Sequence, residues 1–91
     1  MIYFDFDSYV LKEEFRPTVA AYARLLTADP KRRLMIEGHT DERGGSEYNL
    51  ALGQKRAEAV RRALELLRVR ESQLEAVSYG KERPAVAGSN E

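Results

Sequence analysis

The stretch HTDERGGSEYNLALGQKRAEAV, residues 39–60, joins an acidic, glycine-rich loop to a long amphipathic helix, and its reading decides the fold. Polar groups gather at this junction without an evident packing duty. Ser46 reads as the N-cap of the helix, with Glu47 placed to complement the helix dipole. Asn49, Leu52, Gly53, Arg56, Ala57, Val60, Leu64 and Leu67 then recur at helical spacing and predict the inward face, while Arg61, Arg62, Glu65 and Arg68 point elsewhere.

Working outward, residues 34–38 alternate Leu34 and Ile36 against Met35 and Glu37, which predicts a short strand leading into the loop at residues 38–45. Before it, Phe15, Val19, Tyr22 and Leu26 recur at three- and four-residue steps, predicting a helix over residues 13–28 with one buried face. Pro17 is tolerated near its first turn, where the N–H has no intrahelical acceptor, and Asp29-Pro30 stops it. At the front, Ile2, Phe4 and Phe6 alternate with Tyr3 and Asp5, a half-buried strand over residues 2–6 by its period of two, ended by Asp7-Ser8. After the long helix, residues 73–79 read as a third strand and residues 80–84 as a turn-rich loop, and residues 85–91 carry no period.

The order strand, helix, strand, helix, strand predicts right-handed crossovers, a sheet at least partly parallel, and an α+β or α/β two-layer sandwich. The alternation within each strand places one sheet face toward water and both helices on the other. With the first two strands parallel, Asp7 and Thr40-Asp41 share the carboxyl edge, where such sheets usually bind ligands.

Composition excludes several function classes. A chain of 91 residues is one small domain with little stability to spare. Fifteen basic and fifteen acidic side chains cancel, so no global field draws the chain to nucleic acid or anionic lipid. The absence of cysteine excludes disulfides, thiolate metal sites and thiol catalysis. Apolar runs fall short of a membrane span, no secretory signal precedes the first strand-like residues, and the chain reads as an excised domain.

His39, Asp41, Glu42 and Ser46 are catalytic residue types. Yet there is a single histidine, with no nucleophile elbow and no HExxH spacing, and His-x-Asp alone supplies too few ligands for zinc. The plain reading of His39 is a hydrogen-bonded, partly buried ring at a strand end. Lys31-Arg32-Arg33 and the basic excess over residues 55–70 raise nucleic-acid binding. The interleaved aromatics that usually accompany it are missing, and such helix charges are most often a solvated face.

A third reading is a small-ligand site at the loop–helix junction. Asp7 and Asp41 accept from an ammonium, and the forked guanidinium of Arg56 donates to a carboxylate, a combination suited to a zwitterion. The alternative is that Asp41 and Arg56 pair with each other or with neighbours for stability alone. From spacing alone the structural pairing is the favoured of the two, since ion pairs that serve only stability place such groups in the same way. Ten helical residues, about 15 Å of rise, separate Ser46 from Arg56, so the loop has to fold back along the helix to bring Asp41 near it.

The segments I36-E37-G38-H39-T40-D41-E42-R43-G44 and E47-Y48-N49-L50-A51-L52-G53-Q54-K55-R56-A57, preceded by Y3-F4-D5-F6-D7 and followed by V77-S78-Y79-G80-K81-E82-R83-P84-A85-V86, together resemble the OmpA-like peptidoglycan-binding domains. The match covers nearly the whole chain, as one domain over residues 1–91. It implies a βαβαβ fold with a mixed sheet, no catalysis and no cofactor. It further implies noncovalent binding of the peptide stem of uncrosslinked peptidoglycan through meso-diaminopimelate. On that resemblance Asp41 and Arg56 take the ammonium and carboxylate ends of the ligand, Asp7 and Leu52 line the pocket, and Thr40 and Asn49 shape the loop.

The same resemblance implies a β-propeller protein of the periplasmic Tol system as a partner, on a surface overlapping the peptidoglycan side. It also implies a location at the periplasmic face of the outer membrane, through a lipid anchor on the parent protein, as part of a tether between that membrane and the wall. Two departures stand out: the family's final helix with its N-R-R element and final inserted strand are missing, as are the lipidated cysteine and its tether. An unpaired sheet edge is therefore expected, with marginal stability, pairing with another chain, or trimming from a longer protein as its consequence.

Overall fold

The computed structural model describes residues 2–40 and 44–80. A 3₁₀ turn, Glu13–Phe15, opens helix α1, Arg16–Ala28; strand β1, Leu34–His39, leads to helix α2, Ser46–Leu66; a second 3₁₀ turn, Glu71–Gln73, enters strand β2, Leu74–Gly80. The two strands pair in parallel, with Leu34 opposite Leu74 and Gly38 opposite Ser78. This is an α+β domain, two helices against parallel strands, as the patterning predicts.

The core forms where one face of each element meets. Val19, Ala23 and Leu26 of α1, Ile36 of β1, Ala57 and Leu64 of α2, Val69 and Leu74 are buried together, with Ile2, Leu11 and Val60 packed at the margin. Met35, Glu37 and Glu75 lie exposed on the opposite sheet face, which meets water as predicted. Helix α2 approaches the sheet very closely because both surfaces are glycine where they cross. A Cβ on Gly38 would stand 1.9 Å from the Gly53 carbonyl oxygen.

Several expectations are corrected. Residues 2–6 do not form a strand. The Ser8 N–H turns back onto the Asp5 carbonyl at 3.0 Å, Asp7 adopts φ 54, and a long-range side chain takes the Asp5 and Ser8 carbonyls. The described sheet is accordingly two parallel strands, and the mixed character expected of it has no counterpart among the described residues. On α1 it is Ala23 that is buried, whereas Tyr22 is exposed and Phe15 half-buried. The N-cap of α2 is Gly45 and Ser46 is its first helical residue.

At the other end of α2 the stripe breaks at Leu67, which is exposed, and Val69 fills the core instead. Arg68, at φ 76, reverses the chain there. The Val69 N–H reaches the Leu64 carbonyl at 3.2 Å and the Arg68 N–H that of Glu65 at 3.0 Å, a Schellman closure with its apolar contact between Leu64 and Val69.

One polar side chain fastens the layers. The buried Gln73 amide donates to the carbonyls of Leu26, Asp29 and Arg32 at 2.8, 3.1 and 3.0 Å, and its oxygen accepts the Arg70 N–H at 3.2 Å. It thereby serves carbonyls at the end of α1, which a helix terminus leaves without intrahelical donors.

Candidate functional site

Arg56 sits midway along α2, facing inward, and is only 6% exposed. Its Nε donates to the Ser8 carbonyl at 2.7 Å, Nη1 to that of His39 at 3.2 Å and Nη2 to that of Asp5 at 3.1 Å, with the Phe4 ring 5.4 Å from the guanidinium carbon. Three segments far apart in sequence thus converge on one cation. The carbonyl dipoles and the ring face offset the cost of burying the charge. The end of β1 therefore lies over the middle of α2.

The loop is rooted by a second set of buried bonds. The Thr40 N–H donates to the Gly80 carbonyl at 2.8 Å, and its hydroxyl donates to the Asn49 side-chain oxygen at 2.9 Å. Asn49, fully buried, returns its amide to the Gly45 carbonyl at 3.0 Å. Thr40 and Asn49 therefore tie the two ends of the loop together. The parallel ladder carries an irregularity here, His39 pairing with Gly80 and leaving Tyr79 extra, and Gly80 takes φ 56 where a Cβ would meet the Leu50 nitrogen at 2.9 Å.

Asp7 is exposed on its left-handed turn and accepts a hydrogen bond from the Tyr48 hydroxyl on the first turns of α2. Leu52 is buried beneath, on the same helix. Lys55 stands over the Tyr9 ring at 5.1 Å, and Lys12 reaches the Asp5 carboxylate at 3.2 Å, so the leading segment is fastened along its length. That contact with Asp5, through its hydrogen bond and its charge, holds the Lys12 ammonium above its ordinary value.

The structure therefore brings Asp7, Thr40, Asn49, Leu52 and Arg56 into one region at the carboxyl end of β1, while Asp41 lies outside the described residues. His39 fits its plain reading: the ring stacks on Tyr79 at 5.5 Å and its Nε2 meets the Glu37 carboxylate at 3.2 Å. No group of three metal-ligating side chains occurs among the described residues, and none of their helices is long and apolar enough to cross a membrane.

Sequence reasoning missed Tyr48, Gln73, and the carbonyls of Asp5 and Ser8. Tyr48 carried a weak signal, an aromatic residue on the polar side of α2 near its start. Gln73 and the carbonyls carried none, since their partners lie more than 40 residues away.

The OmpA family signature matches residues 3–91. The peptidoglycan-associated lipoprotein of Pseudomonas aeruginosa is 51% identical over 89 residues, 98% of this chain and 52% of that protein. That of Pasteurella multocida is 47% identical over 90 residues, 99% of this chain and 60% of that protein. The chain thus spans half to three-fifths of the length of these relatives. The crystal structure of the peptidoglycan-associated lipoprotein from Burkholderia pseudomallei superposes with a TM-score of 0.89 at 59% identity, covering 91% of this chain and 70% of that one. The C-terminal domain of Helicobacter pylori MotB shares the fold, with a TM-score of 0.80 at 24% identity. With its full-length signature and its near-half identity to several lipoproteins, the chain belongs to the OmpA family, a non-enzymatic family.

Proposed function

We propose that residues 1–91 act as one OmpA-like domain that associates with peptidoglycan by binding the meso-diaminopimelate of an uncrosslinked stem peptide. In this reading Arg56 takes the ligand carboxylate, Asp41 the ammonium, and Asp7 and Leu52 line the pocket, while Thr40 and Asn49 hold the loop in shape. The carrying observation is the Arg56 guanidinium, buried and oriented by three main-chain carbonyls at the carboxyl end of β1. A cation fixed before the ligand arrives costs little ordering on binding, and its field is stronger away from water. The names of the relatives support the wall as target. The parent protein is then lipid-anchored at the periplasmic face of the outer membrane and tethers that membrane to the wall.

Charged hydrogen bonds contribute about 1.5–3 kcal/mol each, so two or three give micromolar-scale affinity at best once ordering costs are subtracted. Calorimetry with a diaminopimelate muropeptide tests the site: Asp41→Asn and Arg56→Lys, each checked for a native circular dichroism spectrum, should each lose tenfold or more. Unchanged affinity in both variants would refute the residue assignment.

A second role is favoured by the aromatic surface around the site. Phe6, Tyr9 and Tyr48 are all exposed beside Asp7, and exposed aromatic residues are enriched where proteins meet. This supports docking of the Tol-system β-propeller on the surface that also receives the stem peptide, and the two ligands should compete.

A further inference from the structure

The opposite end of the domain has a different chemistry. Leu34 pairs in register with Leu74, so Lys31, Arg32 and Arg33 enter β1 beside the place where Arg70 enters β2. Both helices also end here, Arg24 lying near the end of α1 and Arg68 just past that of α2. These six cations are exposed and make no ion pair among the described residues. The acidic residues at this end are Asp29, Glu65, Glu71 and Glu75, of which Glu65 and Glu71 are engaged by Arg61 at 3.3 and 3.2 Å. A chain with no net charge thus carries a local basic surface that the sequence divides between two separate runs.

Exposed leucines lie at the same helix ends, Leu66 and Leu67 rimming a groove whose floor includes Val19 and Ala20 of α1. Leu66 is 84% exposed, Leu25 54% and Leu67 45%, all at the carboxyl ends of the two helices. Arginines interleaved with exposed leucines fit neither a solvated face nor a nucleic-acid surface, because leucine offers no flat ring for a base to stack on. They fit the boundary between lipid headgroups and acyl chains, where cations meet phosphates and aliphatic side chains enter the layer beneath.

We propose that this end of the domain is a docking surface for anionic phospholipid, with the cations on the headgroup phosphates and Leu66 and Leu67 at the acyl boundary. It lies at the amino ends of the strands, whereas the candidate ligand site lies at their carboxyl ends, so the domain can hold a membrane surface and a wall peptide together. The inference takes from the proposed envelope location only that such a membrane is within reach.

The test is sedimentation of the chain with vesicles of phosphatidylglycerol and phosphatidylethanolamine, against vesicles of phosphatidylcholine alone, at low and high salt. Binding to the anionic vesicles that weakens with salt is expected, with little on the zwitterionic ones. Replacing Arg32, Arg33 and Arg70 together by alanine should lower it about 100-fold, roughly fivefold per residue, while replacing the same three by lysine should retain it. Leu66→Ser should weaken binding with the salt dependence unchanged, and muropeptide affinity measured in parallel should be the same in every variant. Equal binding to both vesicle types, no sedimentation with either, indifference to the alanine substitutions, or retention by duplex RNA in place of vesicles would each overturn the proposal.

Discussion

Replacing Gln73 by leucine tests the account of how the layers are joined. The substitution keeps the volume and removes the amide that serves Leu26, Asp29 and Arg32 and accepts from Arg70. Two N–H donors share three carbonyls, so not every contact counts in full. The Leu26 and Asp29 carbonyls also keep main-chain donors, from Asp29 at 3.3 Å and Arg32 at 3.0 Å. A net hydrogen bond is worth about 1 kcal/mol and an orphaned buried group costs about 1–3 kcal/mol, which places the loss at roughly 2–4 kcal/mol. For a domain this size each kcal/mol lowers the melting temperature by about 4–8 °C, so thermal unfolding should shift down by roughly 10–30 °C. Gln73→Glu should be as damaging at neutral pH, since a carboxylate then faces three carbonyl oxygens, and should recover part of the loss on acidification. The charged form is disfavoured in the folded state, so the folded pKa lies above the unfolded one. The recovered stability is therefore present below about 4.3, the ordinary glutamate value, and is lost as pH rises through the folded value. A Gln73→Leu protein within about 0.5 kcal/mol of the parent in urea unfolding would refute the reasoning.

The glycine crossing gives a paired comparison: Gly38→Ala should cost about 3 kcal/mol or more through its clash with Gly53, whereas Gly45→Ala, where nothing lies within 4 Å, should cost about 1 kcal/mol or less, from the poorer N-cap alone, by the same denaturation measurement. Arg68→Gly should stabilise by about 0.5–1 kcal/mol, because the left-handed turn closing α2 suits glycine, and a lower melting temperature would contradict the capping assignment. The Lys12 ammonium should titrate above 10.5 by NMR, and Asp5→Asn should bring it back toward that value. Any stabilisation from this pair is then present below 10.5 and lost as pH rises through the raised value.

What was legible in the sequence is what local pattern controls. The apolar stripe from Asn49 to Leu64 located α2 and its buried face, including the unusual inward Arg56, and alternation located β1 and most of β2. Three misreadings share a cause. Alternation at residues 2–6 marks Ile2 and Phe4 as half-buried but fails at Phe6, which is exposed, and it says nothing about where the carbonyls bond: here Arg56 takes those of Asp5 and Ser8. The helical spacing continues in the sequence to Leu67, but the helix ends at Leu66 and the left-handed Arg68 then turns the chain away. Ser46 looked like a cap by residue type, but Gly45 holds the extended conformation a cap requires. The candidate site was legible as a set of residue types, and its assembly depended on long-range bonds that no local spacing encodes.

The central claim is recognition of meso-diaminopimelate by a charge fixed at Arg56. Its most direct test is calorimetry of the unmodified chain with two muropeptides that differ only at the third position of the stem, meso-diaminopimelate in one and lysine in the other. Lysine lacks the second carboxylate, so losing one charged hydrogen bond of about 1.5–3 kcal/mol should weaken binding roughly 10- to 100-fold. Equal affinity for the two muropeptides, or no binding of either by the folded chain, would contradict the account.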